Sequence, residues 1–516
     1  MTLNERKSLP IWKKIIAFVI SFVLFCIQIA LLVATLVLYF GLSSNAYQGI
    51  PGILFGVSYG IGLAFVLYIT SKPISASYKI TWAVLILALP LPFCLLYTLN
   101  AITKHSSKMK HRKILAQINK ELPSIEKLEI NNPIDTNLSN LLLKSANAPT
   151  YKDCKITFFK DAKEKHEDML ISLRGAKKYI LMEYFIISNG KCFEDVLQIL
   201  KEKSDLGIKT YILYDDVGSK GYLTKKVEKR LGAIKNVNIC KFEPVSLSIS
   251  PLINYRDHRK ICVIDGVIAY CGGDNLADEY IHEITRFGYW RDNACKYEGK
   301  VVNTFIDLFK EMWFFSSKHS LELPASPEYF YEPQNGYVTV FGDGPVTETS
   351  PGYNLFYSLI SLATKYVFIS TPYLIIDDAL LEALSRKAKS GVEVVIMMPG
   401  IPDKKAPYYM GRFNYKRLVL AGVKIFEYLP GFNHAKNIII DDEYAFCGTI
   451  NMDYRSLFLH YECGSLIMHN KEIYKIKEDF NNSIEKSKEV TLESIKKYPL
   501  HQKIIAFILN IFAPFF

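Results

Sequence analysis

An eighteen-residue pattern occurs twice in this chain and limits its fold more than any other feature. Residues 258–275 read HRKICVIDGVIAYCGGDN and residues 434–451 read HAKNIIIDDEYAFCGTIN. Both copies carry His, Lys two places later, Asp seven, Gly fourteen and Asn seventeen places later. Five shared positions at identical spacing are too many for accident. The pattern itself spells a β-hairpin. His258 and Lys260, two apart on a strand, share one face, and apolar residues 261–264 carry that strand inward. Asp265-Gly266 is a hairpin turn signal. The return strand then sets residue 258 opposite about residue 273 and brings Gly273 and Asn275 beside His258. In the second copy Asp441-Asp442 turns the chain and returns Thr449 and Asn451 to His434. Seven residues of strand rise about 23 Å. Asp265 and Asp441 therefore belong at the far end of each hairpin, in a role of turn formation and hydrogen bonding.

The similarity extends beyond the hairpins. Residues 170–187 and 359–376 both begin LISL and read as a helix end, a turn and a strand. Each is followed by a helical stretch and a second apolar strand, at 209–216 and 393–400. Such alternation predicts an α/β fold of two duplicated βαβ halves around largely parallel sheets, with a site shared at their interface. The expected halves are 151–325 and 326–490, after a helix and linker over 114–150. Apolar residues make up 50% of the chain and charged residues 22%, which excludes disorder as the overall state. The ten cysteines form no CxxC pair, so neither a disulfide scaffold nor a zinc module is expected.

If the halves face each other, two imidazoles (His258, His434), two ammonium groups (Lys260, Lys436), two carboxamides (Asn275, Asn451) and the Thr449 hydroxyl converge. That set suits a phosphodiester. Lys and Asn hold its non-bridging oxygens, one neutral His attacks phosphorus and the other, protonated, delivers a proton to the leaving alcohol. A divalent metal is the competing idea. Lysines two residues from each His oppose it and no further Cys or His stands at ligand spacing, so the expected chemistry is metal-free. His282, His460 and His501 are read as structural. Each active histidine also needs an orienting carboxylate. Asp292, in WRD, follows His258 by 34 residues, and Glu462, in LHYECG, follows His434 by 28.

The first 113 residues are expected to form a membrane anchor of two to three apolar helices. Three uncharged apolar runs, 15–40, 51–70 and 80–99, are each long enough for a helix crossing the ~30 Å hydrocarbon layer. Basic clusters precede the first run (Arg6, Lys7, Lys13, Lys14) and follow the third (Lys104, Lys108, Lys110, Arg112, Lys113). Both prefer the cytoplasmic side, which three full crossings forbid, so the second or third run is expected to be re-entrant or partly inserted. The expectation is a multi-pass cell-membrane protein with its catalytic part in the cytoplasm. The net charge of +11 fits an anionic partner, lipid or nucleic acid. The amphipathic tail over 491–516 ends in KIIAFILNIFAPFF, which is too short to span; it lies in the lipid interface or packs on the catalytic part.

The paired motifs resemble the phospholipase D superfamily. The flanking NYRDHRK (254–260), GGDNLADEY (272–280), WRD (290–292), STPY (370–373) and NMDYRS (451–456), with the apolar segments, are similar to the bacterial cardiolipin synthases over nearly everything from about residue 50 onward. The resemblance implies phosphatidyl transfer between two phosphatidylglycerol molecules through a phosphatidyl-histidine, with no cofactor and no nucleic acid partner. It makes His258 the nucleophile and His434 the general acid and base. Lys260, Lys436, Asn275 and Asn451 become phosphate ligands, with Gly273 and Thr449 beside them, and Asp292 and Glu462 the orienting carboxylates. It also counts Asp265 and Asp441 within the catalytic motif. Asp257, Ala277 and Thr449 stand where Asn, Gly and Ser are common in the family, and the run 15–40 is extra to two-span relatives. A phospholipid hydrolase is the alternative, followed by a nucleic-acid phosphodiesterase and a non-catalytic scaffold.

Overall fold

The computed structural model describes residues 23, 26–30, 33, 49–102, 109, 128–243, 255–325, 331–345, 347 and 349–515. They fall into two compact units: residues up to 109 with 511–515, and residues 128–243 with 255–510.

In the first unit the run 51–70 lies in a 22-residue helix, Gly49–Thr70. Its stretch Ile53–Thr70 has a mean hydropathy of 2.0 and is long enough to cross a membrane. The run 80–99 is not one helix. Proline lacks the amide N–H that a helix interior uses, and it drives the preceding residue out of helical geometry. Leu89, ahead of Pro90, sits at φ −144° and ψ 85°. The run therefore divides into Ala76–Ala88 and Pro90–Ile102. At 1.5 Å per residue each covers roughly 20 Å, short of the hydrocarbon layer. Gly62 admits this elbow, since a Cβ there would stand 3.0 Å from the Pro90 ring. Among the described residues one helix is long and apolar enough to cross, against the three runs expected. The first run lies outside the described residues except for 23, 26–30 and 33, and both flanking basic clusters lie outside them too.

The second unit is α/β. Its first sheet holds β1 (Lys155–Phe159), β2 (Tyr179–Tyr184), β3 (Lys209–Asp215), β4 (Val237–Phe242), β5 (Lys260–Ile264), β6 (Ile268–Gly272) and β7 (Ala294–Glu298). The second holds β8 (Tyr337–Asp343), β9 (Tyr366–Ser370), β10 (Glu393–Pro399), β11 (Lys424–Tyr428), β12 (Asn437–Ile440), β13 (Tyr444–Gly448) and β14 (Glu462–Met468). The spatial orders are β1-β7-β6-β5-β2-β3-β4 and β8-β14-β13-β12-β9-β10-β11, a strand-for-strand correspondence. Thr150–Lys152 and Ser487–Glu489 extend the second sheet at its two edges. The sheets are mixed rather than largely parallel. Only β2-β3-β4 and β9-β10-β11 run parallel, because each motif hairpin enters antiparallel to its neighbour.

The near-continuous apolar runs in the hairpins follow from burial on both faces. Ile261 and Val263 of β5 join a core shared with Ile439, Ala445 and Ile467 of the second sheet, while Cys262 and Ile264 face the first half's own helices. The segment expected as a helix and linker contributes to the core. Pro133–Ala146 is a helix capped by the Asn132 side chain, and its Leu138 and Leu142 pack with Leu355, Phe356 and Leu359 in the second half's core.

The hairpins close as three-residue turns, one residue longer than expected, with Val267 N–H bonded to Ile264 O and Glu443 N–H to Ile440 O. Asp265 (φ 55°) and Gly266 (φ 73°) take left-handed conformations, as do Asp441 (φ 54°) and Asp442 (φ 64°). The Asp265 carboxylate accepts the backbone N–H groups of Lys177, Lys178 and Tyr179 at 2.8, 2.7 and 3.0 Å, fixing the entry to β2. Asp441 accepts those of Thr364, Lys365 and Tyr366 at the entry to β9. Hydrogen bonds to charged groups contribute roughly 1.5–3 kcal/mol each. Asp265→Asn should therefore lower the unfolding free energy by about 2 kcal/mol, read as a drop in thermal midpoint, while turnover per folded molecule stays close to the parent's.

Candidate active site

Each motif histidine leaves its own half to find its partner. Just before β5, Asp257 forms a parallel bridge with Tyr461, which precedes β14 of the other sheet. His258 N–H donates to Tyr461 O at 2.8 Å, and Tyr461 N–H donates to Arg256 O at the same distance. The second copy mirrors this. Gly431–Asn433 pairs in parallel with Tyr289–Arg291, and His434 N–H donates to Arg291 O at 2.7 Å. Gly431 permits the approach, because a Cβ there would lie 2.3 Å from Tyr289 O.

The side chains cross in the same way. His258 Nδ1 bonds Glu462 Oε2 at 2.9 Å, and His434 Nδ1 bonds Asp292 Oδ2 at 2.6 Å. Proximity along the chain assigns Asp292 to His258 and Glu462 to His434; the structure exchanges them. The parallel bridges between the sheets set each histidine beside the other half's carboxylate, so the nearer partner in space is the farther one in sequence. Gly273 lies against Asp292, whose Oδ1 would be 2.2 Å from an added Cβ. The Thr449 hydroxyl donates to Glu462 Oε2 and accepts Cys463 N–H at 3.0 Å, so it braces the carboxylate rather than standing free for a ligand. Asn275 is likewise engaged, its Oδ1 accepting Ile186 N–H at 3.0 Å and its Nδ2 donating to Tyr280 OH at 2.8 Å. Asn451 is buried, and its Oδ1 has no hydrogen-bond partner among the described residues. Lys260 and Lys436 are buried and donate to the carbonyl oxygens of His258 and His434. Asp265 and Asp441 sit at the hairpin tips, apart from this cluster.

The electrostatics follow from burial. Loss of solvent, then the charges of Lys260, Lys436 and Lys404, hold the imidazole of His258 well below its ordinary pKa. Burial and the same three lysines do so for His434. Both rings are neutral at pH 7, and each feels the lysine of the other motif. Burial brings Lys260 down to about 8 and raises Asp292 to about 6, against the pull of Lys436. Aromatic side chains wall the site. Phe185 stands edge-on to His258 at 4.9 Å, and Trp290, Phe432 and Tyr280 surround His434 at 5.5 to 5.6 Å.

Read from the sequence, His460 is structural and no further histidine stands at ligand spacing. The structure places His460 in the site. Its ring centre is 5.4 Å from that of His258, and its Nδ1 is 3.7 Å from Glu462 Oε1. Its position two residues before Glu462 was the available signal. His282 instead bonds Asp161 at 2.9 Å, away from the cluster.

Residues 356–484 match the family described as "Cardiolipin synthase, PLD-like domain". A cardiolipin synthase of Halalkalibacterium halodurans is 31% identical over 453 residues, 84% of this chain and 88% of that protein. One of Alkalihalophilus pseudofirmus is 34% identical over 357 residues, 69% of this chain and 71% of that protein. Among solved structures, phosphatidylserine synthase from Haemophilus influenzae Rd KW20 superposes with a TM-score of 0.56 at 16% identity, covering 74% of this chain and 97% of that one; this likeness shows the fold.

The crossed pairs should appear in double-mutant cycles of unfolding free energy. His434→Asn and Asp292→Asn should couple by at least about 1 kcal/mol, as contacting residues do. His258→Asn and Asp292→Asn should add.

Proposed function

Because the chain belongs to the bacterial cardiolipin synthases of the phospholipase D superfamily, and is thus a phospholipid phosphatidyltransferase, we propose that it moves a phosphatidyl group from one phosphatidylglycerol to another. The products are cardiolipin and glycerol. The carrying observation is the pair of neutral, buried imidazoles, each oriented by a carboxylate from the opposite half and each under the influence of both motif lysines. The strand-for-strand match of the two sheets supports duplicated halves that share one site.

With its Nδ1–H given to Glu462, His258 turns the lone pair of Nε2 toward phosphorus. Attack forms the P–N bond and breaks the bond to the glycerol oxygen. Lys260 and Lys436 stabilise the charge gathered on the non-bridging oxygens. His434 supplies the proton to the departing glycerol. An anionic phosphodiester between the lysines favours the imidazolium, and Asp292 stabilises it, as a buried carboxylate does for a general acid. In the second half-reaction a hydroxyl of the acceptor phosphatidylglycerol attacks phosphorus, His434 takes its proton, and the P–N bond breaks. His258 is restored. Thr449, Gly273 and Asn275 act as positioning groups around these four residues, and Asn451 remains the carboxamide available to the phosphate. Gly49–Thr70 keeps the protein at the bilayer in which both substrates reside, and we place the catalytic unit on its cytoplasmic side. Water would convert the same intermediate to phosphatidic acid, which is how the hydrolase reading differs.

Purified protein given phosphatidylglycerol alone should yield cardiolipin and one equivalent of glycerol; phosphatidic acid without cardiolipin would establish the hydrolase instead. His258→Ala should abolish both the lipid product and any acid-trapped lipid–protein adduct. Activity requires Lys260 protonated, so initial rates at low substrate should fall as pH rises through about 8.

A further inference from the structure

We infer that His258, His460 and Glu462 form a binding site for a transition-metal cation, such as Zn²⁺, that switches the nucleophile off. One ligand atom from each of the three lies within 4.8 Å of the other two. His258 Nδ1 is 2.9 Å from the Glu462 carboxylate and His460 Nδ1 is 3.7 Å from Oε1 of the same group. A tetrahedral zinc with bonds of about 2.0–2.1 Å places its ligands roughly 3.3 Å apart, between these two separations. The second observation is a set of unsatisfied polar atoms. His460 is 9% exposed, yet among the described residues neither of its ring nitrogens has a hydrogen-bond partner. Buried polar atoms without partners are rare and call for an explanation. A cation ligated by all three residues satisfies one His460 nitrogen and leaves a fourth position open.

The ligand set selects the kind of ion. The ammonium groups of Lys260 and Lys436 oppose any cation, and Mg²⁺ or Ca²⁺, which need mostly oxygen ligands, gain little here to offset them. Two imidazoles and a carboxylate suit Zn²⁺ and its neighbours. The effect on chemistry follows from the tautomer. In the metal-free site the His258 proton is on Nδ1 and the Nε2 lone pair is free. Coordination through Nδ1 displaces that proton to Nε2, with no net gain or loss, and removes the lone pair that would attack phosphorus. This last step rests on the assignment of His258 as nucleophile; the binding itself does not.

Full-length protein in detergent, freed of metal, should develop the intense visible absorption of four-coordinate Co²⁺ at one equivalent, and one equivalent of Zn²⁺ should quench it. His460→Asn, and His460→Gln as a second variant, should lose the band while keeping the parent's metal-free thermal midpoint. The half-inhibitory Zn²⁺ concentration for cardiolipin formation should rise about tenfold or more in these variants, as loss of one ligand from a three-residue site implies. No saturable band, or a band that persists in both variants or disappears in His282→Asn, would overturn the site. A stoichiometric band without inhibition of cardiolipin formation would overturn the switch and point to a fault in the His258 assignment.

Discussion

The crossed pairing of histidine and carboxylate is the constraint on which the rest of the second unit depends. An imidazole buried beside two lysines is held neutral, and it keeps a single tautomer only while a carboxylate holds its Nδ1. Neither sheet supplies both members of a pair. The segments ahead of β5 and β12 must therefore leave their own sheets and run parallel to the segments ahead of β14 and β7 in the other half, as Asp257–Tyr461 and Phe432–Trp290 do. Everything below the site serves that exchange. The shared core between the sheets, with Ile261, Val263, Ile439 and Ile467, holds the two frames in register, and the Tyr297–Ser465 hydrogen bond at 2.6 Å adds a polar tie across it.

Burial then sets the chemistry. The same loss of solvent that keeps both histidines neutral brings Lys260 and Asp292 toward neutral pH, so the site holds several groups whose protonation changes easily. That is a costly arrangement for stability, and it is offset by the apolar packing on either side of every motif strand. The aromatic wall around His434 belongs to the same logic, since Trp290, Phe432 and Tyr280 keep water from competing for the ring.

Much of this is legible in the sequence, for physical reasons. Period-2 spacing fixes which motif residues share a face, and strand rise alone separates Asp265 and Asp441 from the histidines. Asp292 and Glu462 are readable as carboxylates on following strands. Their partners are not, because proximity along a chain says nothing about a crossing between sheets. His460 carries only a weak signal, its place two residues before Glu462, because a lone histidine in a loop is more often structural than part of a site. The apolar run 80–99 looks continuous in composition, yet a single backbone property of Pro90 divides it. The mixed sheet direction is hidden in the same way, since alternating strand and helix signals do not reveal that a hairpin has been inserted.

The far-end aspartates carry a wider lesson. Asp265 and Asp441 belong to a signature prized for its reactivity, but their oxygens spell out where the adjoining strand begins. A screen that scores only lost product would rank them with the histidines, and an inhibitor drawn to reach them would be aimed at the wrong end of each hairpin. Membership of a motif does not by itself say whether a residue reacts or merely keeps its neighbours in alignment.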